Sequence, residues 1–439
     1  MSGTTWKGIR RQSLALVSMA LAAQAVTARA EDGSERLARL EEAVARIEAQ
    51  LAELRDESPA GHRDVAELER RIALLAEEIA RLRAAGTSPS QPRSFSLGGY
   101  GEARYENFDS RTGAGVTSGK EDRVDFTRLV LYIGHRFGER WHLTSEIEFE
   151  HALAGDGEPG EVAIEQAYLG YRVSDELELR AGLLLVPLGF INEMHEPPTF
   201  PSVNRPSVER YIIPATWREL GAGLSGGGER LQYRAYVTSG LDGAGFGTLS
   251  GLRGGRGSGA EARAADLSLS GRLDVAAAPG LTIGAALFAG KTGQGRLDTN
   301  GTPIAGRLAL YDLHAEWRFR GLRVRALWAA ASLGDADRLA ALAGEPIGSR
   351  MIGWYLEASC DVLSSSRHQL LPFVRHERFD TFDRSPAGAA VPAGMERRVT
   401  TWGLAWKPIE EIALKLDRQD FDGPDGGVDQ WNLGIGFVF

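Results

Sequence analysis

Two hydrophobic periods divide the chain. From Leu37, apolar residues fall at Leu37, Leu40, Val44, Ile47, Leu51 and Leu54, and again at Val65, Leu68, Ile72, Leu75, Ile79 and Leu82. The steps alternate between three and four, which is the a/d seam of a coiled coil with Glu and Arg on its outer positions. Counting in sevens from Leu51 passes Ser58 and lands on Val65, so the register survives Ser58-Pro59-Ala60-Gly61. One continuous seam with a local defect is the favoured reading. A helical hairpin turning at Pro59–Gly61 is the alternative, because proline is costly inside a helix. Leu, Ile and Val mix at both a and d, which leaves the oligomer number open and is compatible with three strands.

From Phe95 onward the period is two. In Trp141–His151, Leu143, Ile147 and Phe149 face one way and His142, Thr144, Glu146, Glu148 and Glu150 the other. Similar alternation predicts strands at 97–107, 124–137, 162–173, 177–186, 218–225, 230–239, 264–275 and 281–291, then at 308–319, 322–332, 351–363, 370–380, 399–407, 412–420 and 430–439. With 141–151 these make sixteen, an even number, as bacterial barrels require. Connections alternate long (108–123, 152–161) and short (138–140, 174–176), which suits a membrane barrel and has no reason to occur in a sandwich. The fold class predicted is an all-β transmembrane barrel of sixteen antiparallel strands, preceded by an α-helical coiled-coil segment.

The ends of the chain extend this picture. Lys7, Arg10 and Arg11, the apolar stretch Leu14–Val26 and Ala28-Arg29-Ala30 have the order of a secretory signal peptide cleaved after Ala30. The organisation expected is a signal peptide over 1–30, a periplasmic coiled coil over 31–84, a Ser-, Pro- and Gly-rich linker over 85–94, and a barrel over 95–439. At the other end Trp431, Leu433, Ile435, Phe437 and Phe439 take every second position, as in a lipid-facing terminal strand. No segment is apolar and long enough for a spanning helix; the best run, Ala181–Ile191, is broken by Pro187 and Gly189.

Composition narrows the chemistry. A formal charge of −9 argues against a nucleic-acid partner, and one cysteine, Cys360, permits neither an intrachain disulfide nor a thiolate metal cluster. Gly223-Leu224-Ser225-Gly226-Gly227 matches the nucleophile-elbow pattern, but it closes a strand into a turn with no helix after it, so no hydrolase is expected. The eight histidines show no ligand spacing. Neither a catalytic residue, a metal nor a cofactor is expected.

Short segments in a fixed order carry a family resemblance. They are Leu183-Leu184-Leu185-Val186-Pro187-Leu188-Gly189-Phe190, Pro214–Gly221 (PATWRELG), Tyr355-Leu356-Glu357-Ala358-Ser359, Pro372-Phe373-Val374-Arg375-His376-Glu377 and the final strand. Over roughly 95–439 the chain resembles the phosphate-selective porin O and P family of outer-membrane channels. The resemblance implies a homotrimer in outer-membrane lipid and lipopolysaccharide, with N-terminal extensions that can be coiled coils. The terminal Phe439 is similar to the mark by which barrel-assembly machinery reads outer-membrane barrels. Passive diffusion of small hydrophilic solutes, phosphate or other oxyanions among them, is the function implied. A structural tether, with the stalk contacting the cell wall, is the alternative.

The chain departs from that family in its lysines, which number only four in the barrel: Lys120, Lys291, Lys407 and Lys415. Taking the polar face as lumen puts Arg104, Arg128, Arg180, Arg234, Arg272, Arg323, Arg325, Glu146, Glu148 and Glu150 on the wall, within a near balance of ten cations and twelve acids that names no ion. The longest connection, Phe190–Thr216, holds five prolines and is stiffened by them. In resembling porins the third long loop folds into the lumen, which makes Glu193, His195, Glu196, Arg205, Glu209 and Arg210 candidates for a constriction. A surface loop making trimer contacts is the alternative.

Overall fold

A computed structural model describes residues 94–363, 368–386, 390–392, 395–423 and 427–439. The signal peptide, coiled coil and linker expected over 1–94 lie outside them, apart from Ser94. In chain order the strands are β1 Phe95–Phe108, β2 Arg123–Arg136, β3 Trp141–Glu150, β4 Val162–Ser174, β5 Leu177–Leu185, β6 Arg218–Gly227, β7 Leu231–Ser239 and β8 Leu267–Ala278. There follow β9 Leu281–Lys291, β10 Arg307–Phe319, β11 Leu322–Leu333, β12 Arg350–Cys360, β13 Gln369–Arg384, β14 Glu396–Ile409, β15 Ile412–Asp422 and β16 Gln430–Val438. Each pairs antiparallel with its sequence neighbours, and β1 closes the ring on β16 from Tyr100↔Val438 to Phe108↔Gln430. Closure leaves no open edge, the condition for β structure to cross a bilayer.

All sixteen predicted strands are present, and their ends move for local reasons. β12 stops at Cys360 rather than Leu363, because the Asp361 carboxylate accepts from the backbone N–H of Leu363 (3.0 Å) and Leu370 (3.2 Å) and turns the chain. β13 runs past Asp380 to Arg384, where a bulge lets the ladder resume at Arg350↔Arg384. The polar residues there hide the continuation from an alternation reading.

The outer face carries the apolar half of the alternation. On β16 Trp431, Leu433 and Ile435 are exposed while Asn432 between them is buried inward. Aromatic pairs sit on the outer face, Trp141 against Tyr171 (4.8 Å between ring centres) and Trp402 against Trp431 (5.5 Å).

The inner face is not uniformly polar. β9 to β12 turn Phe288, Leu310, Leu327, Ala329 and Met351 inward, where they pack with loop residues Val208, Ile212, Ile213, Phe246, Leu252 and Leu339. A hydrophobic core therefore lies inside this part of the barrel, filled by the connections β5–β6 (186–217), β7–β8 (240–266), β9–β10 (292–306) and β11–β12 (334–349). Each large side chain removed from water there contributes roughly 1.5–3 kcal/mol. Two short helices belong to these loops, α1 at Val208–Tyr211 and α2 at Ala336–Ala343.

Candidate functional site

The β5–β6 loop, hereafter L3, crosses the barrel interior. Its two ends are stapled by Asn192, whose amide donates to the carbonyls of Val186 (2.6 Å) and Trp217 (2.8 Å) and accepts from Trp217 N–H (2.6 Å). Trp217 is fully buried on Phe288, 4.4 Å between ring centres. Thus the two sequence segments 183–190 and 214–221 are the hinges of one loop.

Wall residues hold the middle of L3 by charge and by backbone. Arg375, wholly buried, lies between Glu357 (3.0 Å) and Glu377 (2.9 Å) and donates to Ser202 Oγ (2.6 Å) and the Asn204 carbonyl (3.2 Å). Glu377 accepts from Val208 N–H (3.1 Å), at the start of α1. Lys415 donates to the Ser202 carbonyl (2.8 Å), and Asp417 accepts from Val203 N–H (2.5 Å). Glycine makes the approach feasible: a Cβ on Gly436 would overlap Pro197, and one on Gly353 would come within 3.0–3.1 Å of Ile212 and Val208.

Three of the six L3 candidates bond to side chains of the barrel wall. Glu209 is 1 % exposed; it accepts from Ile191 N–H (2.6 Å) and from the Tyr355 hydroxyl (2.6 Å). Burial raises its pKa, against the opposing effect of those two donors. His195 is 2 % exposed and sits between Glu165 (3.0 Å) and Glu146 (3.2 Å). Burial disfavours charging the ring, yet Glu165 and then Glu146 outweigh it and push its pKa up to about 10. Glu196 accepts from the Tyr132 hydroxyl (3.0 Å). All three meet the wall for one reason: a loop that crosses a barrel interior leaves water and finds most of its polar partners there.

Glu193 pairs with Arg234 (2.8 Å) and borders an open crevice lined by Gln166, Tyr168, Arg180, Arg234 and Tyr236. Arg205 and Arg210 differ from every wall cation on the expected roster. Among the described residues Arg205 donates only to the His195 carbonyl (3.4 Å), and Arg210 is exposed beside the Tyr211 ring. They share their surroundings with Arg253 and Arg256 of the β7–β8 loop. Arg253 donates to the Ala215 carbonyl, and Arg256 to those of Pro214 (3.3 Å), Thr216 and Arg253 (3.0 Å). No carboxylate oxygen lies within 4.0 Å of any of these four guanidiniums among the described residues. Burial first, then Arg256, Arg210 and Arg205, push the Arg253 pKa down to about 9, the direction expected of a cation lacking a counter-ion.

The wall arginines expected from the sequence are by contrast paired, while Arg397 of β14 lies 4.5 Å from the Tyr211 and Phe379 ring centres with no carboxylate within 4.0 Å among the described residues. Arg128 meets Glu102 (2.8 Å) and Glu148 (2.7 Å), Arg180 meets Glu178 (2.7 Å), and Arg104 lies 3.6 Å from both Glu106 and Asp125. Arg272 meets Asp274 (2.7 Å), and Arg323 (2.8 Å) and Arg325 converge on Glu316. Glu146 lies against His195, and Glu150 stands half-buried at the long-loop end of β3. Sequence reasoning missed Arg375, Glu377, Glu165, Arg253 and Arg256. The first two stood in a family-like segment, where their inward parity was the available signal. For the loop arginines there was none, since the β7–β8 connection has no periodicity.

The fold is that of outer-membrane porin barrels. The outer membrane channel DcaP of Acinetobacter baumannii superposes with a TM-score of 0.52 at 13% identity, over 79% of this chain and 97% of that one. OmpT of Vibrio cholerae, an outer membrane protein solved in a trimer form, superposes at 0.51 with 8% identity, over 79% and 99%. No family model matches the sequence. A protein of Aquifex aeolicus (strain VF5), described as uncharacterized, is 35% identical over 345 residues, spanning 75% of this chain and 76% of its own length. The chain belongs to the same family as that Aquifex protein.

Proposed function

We propose that the protein is an outer-membrane porin that passes small hydrophilic anions by diffusion, phosphate or another oxyanion among them. The observation that carries this reading is the group of four loop guanidiniums, Arg205, Arg210, Arg253 and Arg256, without a carboxylate partner among the described residues, whereas Arg104, Arg128, Arg180, Arg234, Arg272, Arg323 and Arg325 of the wall are each paired with one. Fixed charge at a narrow point acts on a passing ion more strongly than charge neutralised on the wall. Arginine presents a planar fork that suits an oxyanion. In this reading Glu193, Arg205 and Arg210 border the constriction, and His195, Glu196 and Glu209 hold L3 in place.

The chain is then an arginine-based variant of the phosphate-selective porin O and P type, in which loop guanidiniums stand where those porins use lysines. A homotrimer follows by analogy with the trimer form of the Vibrio protein. The outward apolar face would meet outer-membrane lipid and lipopolysaccharide, Phe439 would be read by barrel-assembly machinery, and the stalk would lie in the periplasm. Planar-bilayer recording in asymmetric KCl tests the charge preference. A reversal potential of anion-selective sign, with conductance reduced by added phosphate, is expected; a cation-selective sign would overturn the reading.

A further inference from the structure

His195 of L3 meets two wall carboxylates from different strands, Glu146 on β3 and Glu165 on β4. The side chains are 3 %, 2 % and 0 % exposed, and one donor atom from each lies within 4.8 Å of the others. The two separations from Nε2 are 3.2 Å to Glu146 Oε1 and 3.0 Å to Glu165 Oε2. A ring nitrogen carries a single proton, so it cannot make two well-aligned hydrogen bonds to both oxygens. An ion on the Nε2 lone pair satisfies both at once. Zinc ligands about 2.0–2.2 Å from a tetrahedral ion stand roughly 3.3 Å apart, close to the spacing found here.

One surrounding contact fits a ligand set. Glu146 is oriented through its second oxygen, which accepts from Gln166 Nε2 at 2.9 Å, the kind of outer contact that fixes a metal-binding carboxylate. Tyr100 presses on the His195 ring edge-on at 5.8 Å. Glu165 Oε1 and His195 Nδ1 are both buried without a hydrogen-bond partner, with Arg218 3.7 Å from Glu165 and the Glu148 carboxylate also against it. We propose that Glu146, Glu165 and His195 bind a divalent transition-metal ion, zinc being the probe of choice, and that the ion clamps L3 to β3 and β4. One imidazole and two carboxylates suit zinc better than magnesium or calcium, which demand six or more oxygens. Residues 19 and 30 apart in the chain leave no spacing motif, which is why no site was expected from the sequence.

The clamp does not depend on which solute passes, so it is tested without a transport assay. The full chain, free of any histidine tag and stripped with chelator, is titrated calorimetrically with zinc chloride. One saturable site per chain is expected, unaffected by excess magnesium. His195→Ala and Glu165→Gln should weaken it about 100-fold or more, beyond what loss of a supporting contact costs. Glu146→Gln, which keeps size and shape, serves as the second variant if either of these fails to assemble. X-ray absorption should find nitrogen and oxygen at about 2.0–2.1 Å including an imidazole. No saturable site below millimolar zinc, or unchanged affinity in the His195 and Glu165 variants, would leave an imidazolium bridge and overturn the proposal.

Discussion

At the scale of single residues, the interior is organised by what each charge is next to. Glu209 illustrates it: placed on a loop, it reads as pore lining, and in the fold it binds Tyr355 across 146 positions of sequence. No local pattern reports so distant a partner. Inward wall parity was legible because a strand fixes it every second residue. A loop has no such rule. Glu209 also predicts a pH dependence. Its folded pKa is raised above the ordinary 4.5, so its protonated form favours the packed loop. That contribution is complete below the ordinary value and is lost as pH rises through the elevated one. Trypsin nicking at exposed Arg210 should therefore increase with pH through this window in the native chain, after correction for protease activity. The dependence should vanish in Glu209→Gln; an identical pH profile in both would remove Glu209 from the role of anchor.

Elements differ in how plainly they were written. All sixteen strands were legible because one face must meet lipid and the other must not. What alternation hid is that β9 to β12 carry apolar residues on their inner face too, against loops that fold inward. Alanine at 329 and 331 reads as filler until Val208, Ile213 and Leu339 are known to pack in the same core. β16 is the element most exposed to a single change. Its closing pair with β1 includes the backbone bonds between Gly99 and Phe439, 2.9 Å in each direction. Replacing Phe439 with Asp should block insertion and lower outer-membrane levels by about tenfold or more on immunoblots of fractionated membranes; normal levels would contradict this. For the stalk, outside the described residues, the seam through Val44, Ile47, Leu51, Ile72, Leu75 and Ile79 makes a separate prediction. The segment 37–82 should be helical and oligomeric when isolated. Sedimentation as a monomer would sink it.

For the whole molecule, wall and loops divide the work. The wall pairs the seven arginines expected to line it and forms a socket for L3, while four loop guanidiniums, Arg205, Arg210, Arg253 and Arg256, lack a carboxylate partner among the described residues. A diffusion channel needs binding weak enough to release its solute. Arg205, Arg253 and Arg256 are held by backbone carbonyls rather than by carboxylates, and Arg210 stands exposed beside the Tyr211 ring, so none of the four is neutralised by an adjacent acid. The arrangement also separates two sets of arginines that composition cannot tell apart. The formal charge of −9 gives no hint of these four unpaired loop cations, because net charge says nothing of where each sign sits.

The most direct test of this division compares reversal potentials, in asymmetric KCl, of the native channel and two double variants. Arg205→Ala with Arg210→Ala removes two unpaired loop cations; Arg104→Ala with Arg234→Ala removes two paired wall cations. The loop pair should move the potential toward cation selectivity by a clearly larger amount than the wall pair. Equal shifts, or a larger one from Arg104 and Arg234, would place the charge that selects the solute on the wall and contradict the account.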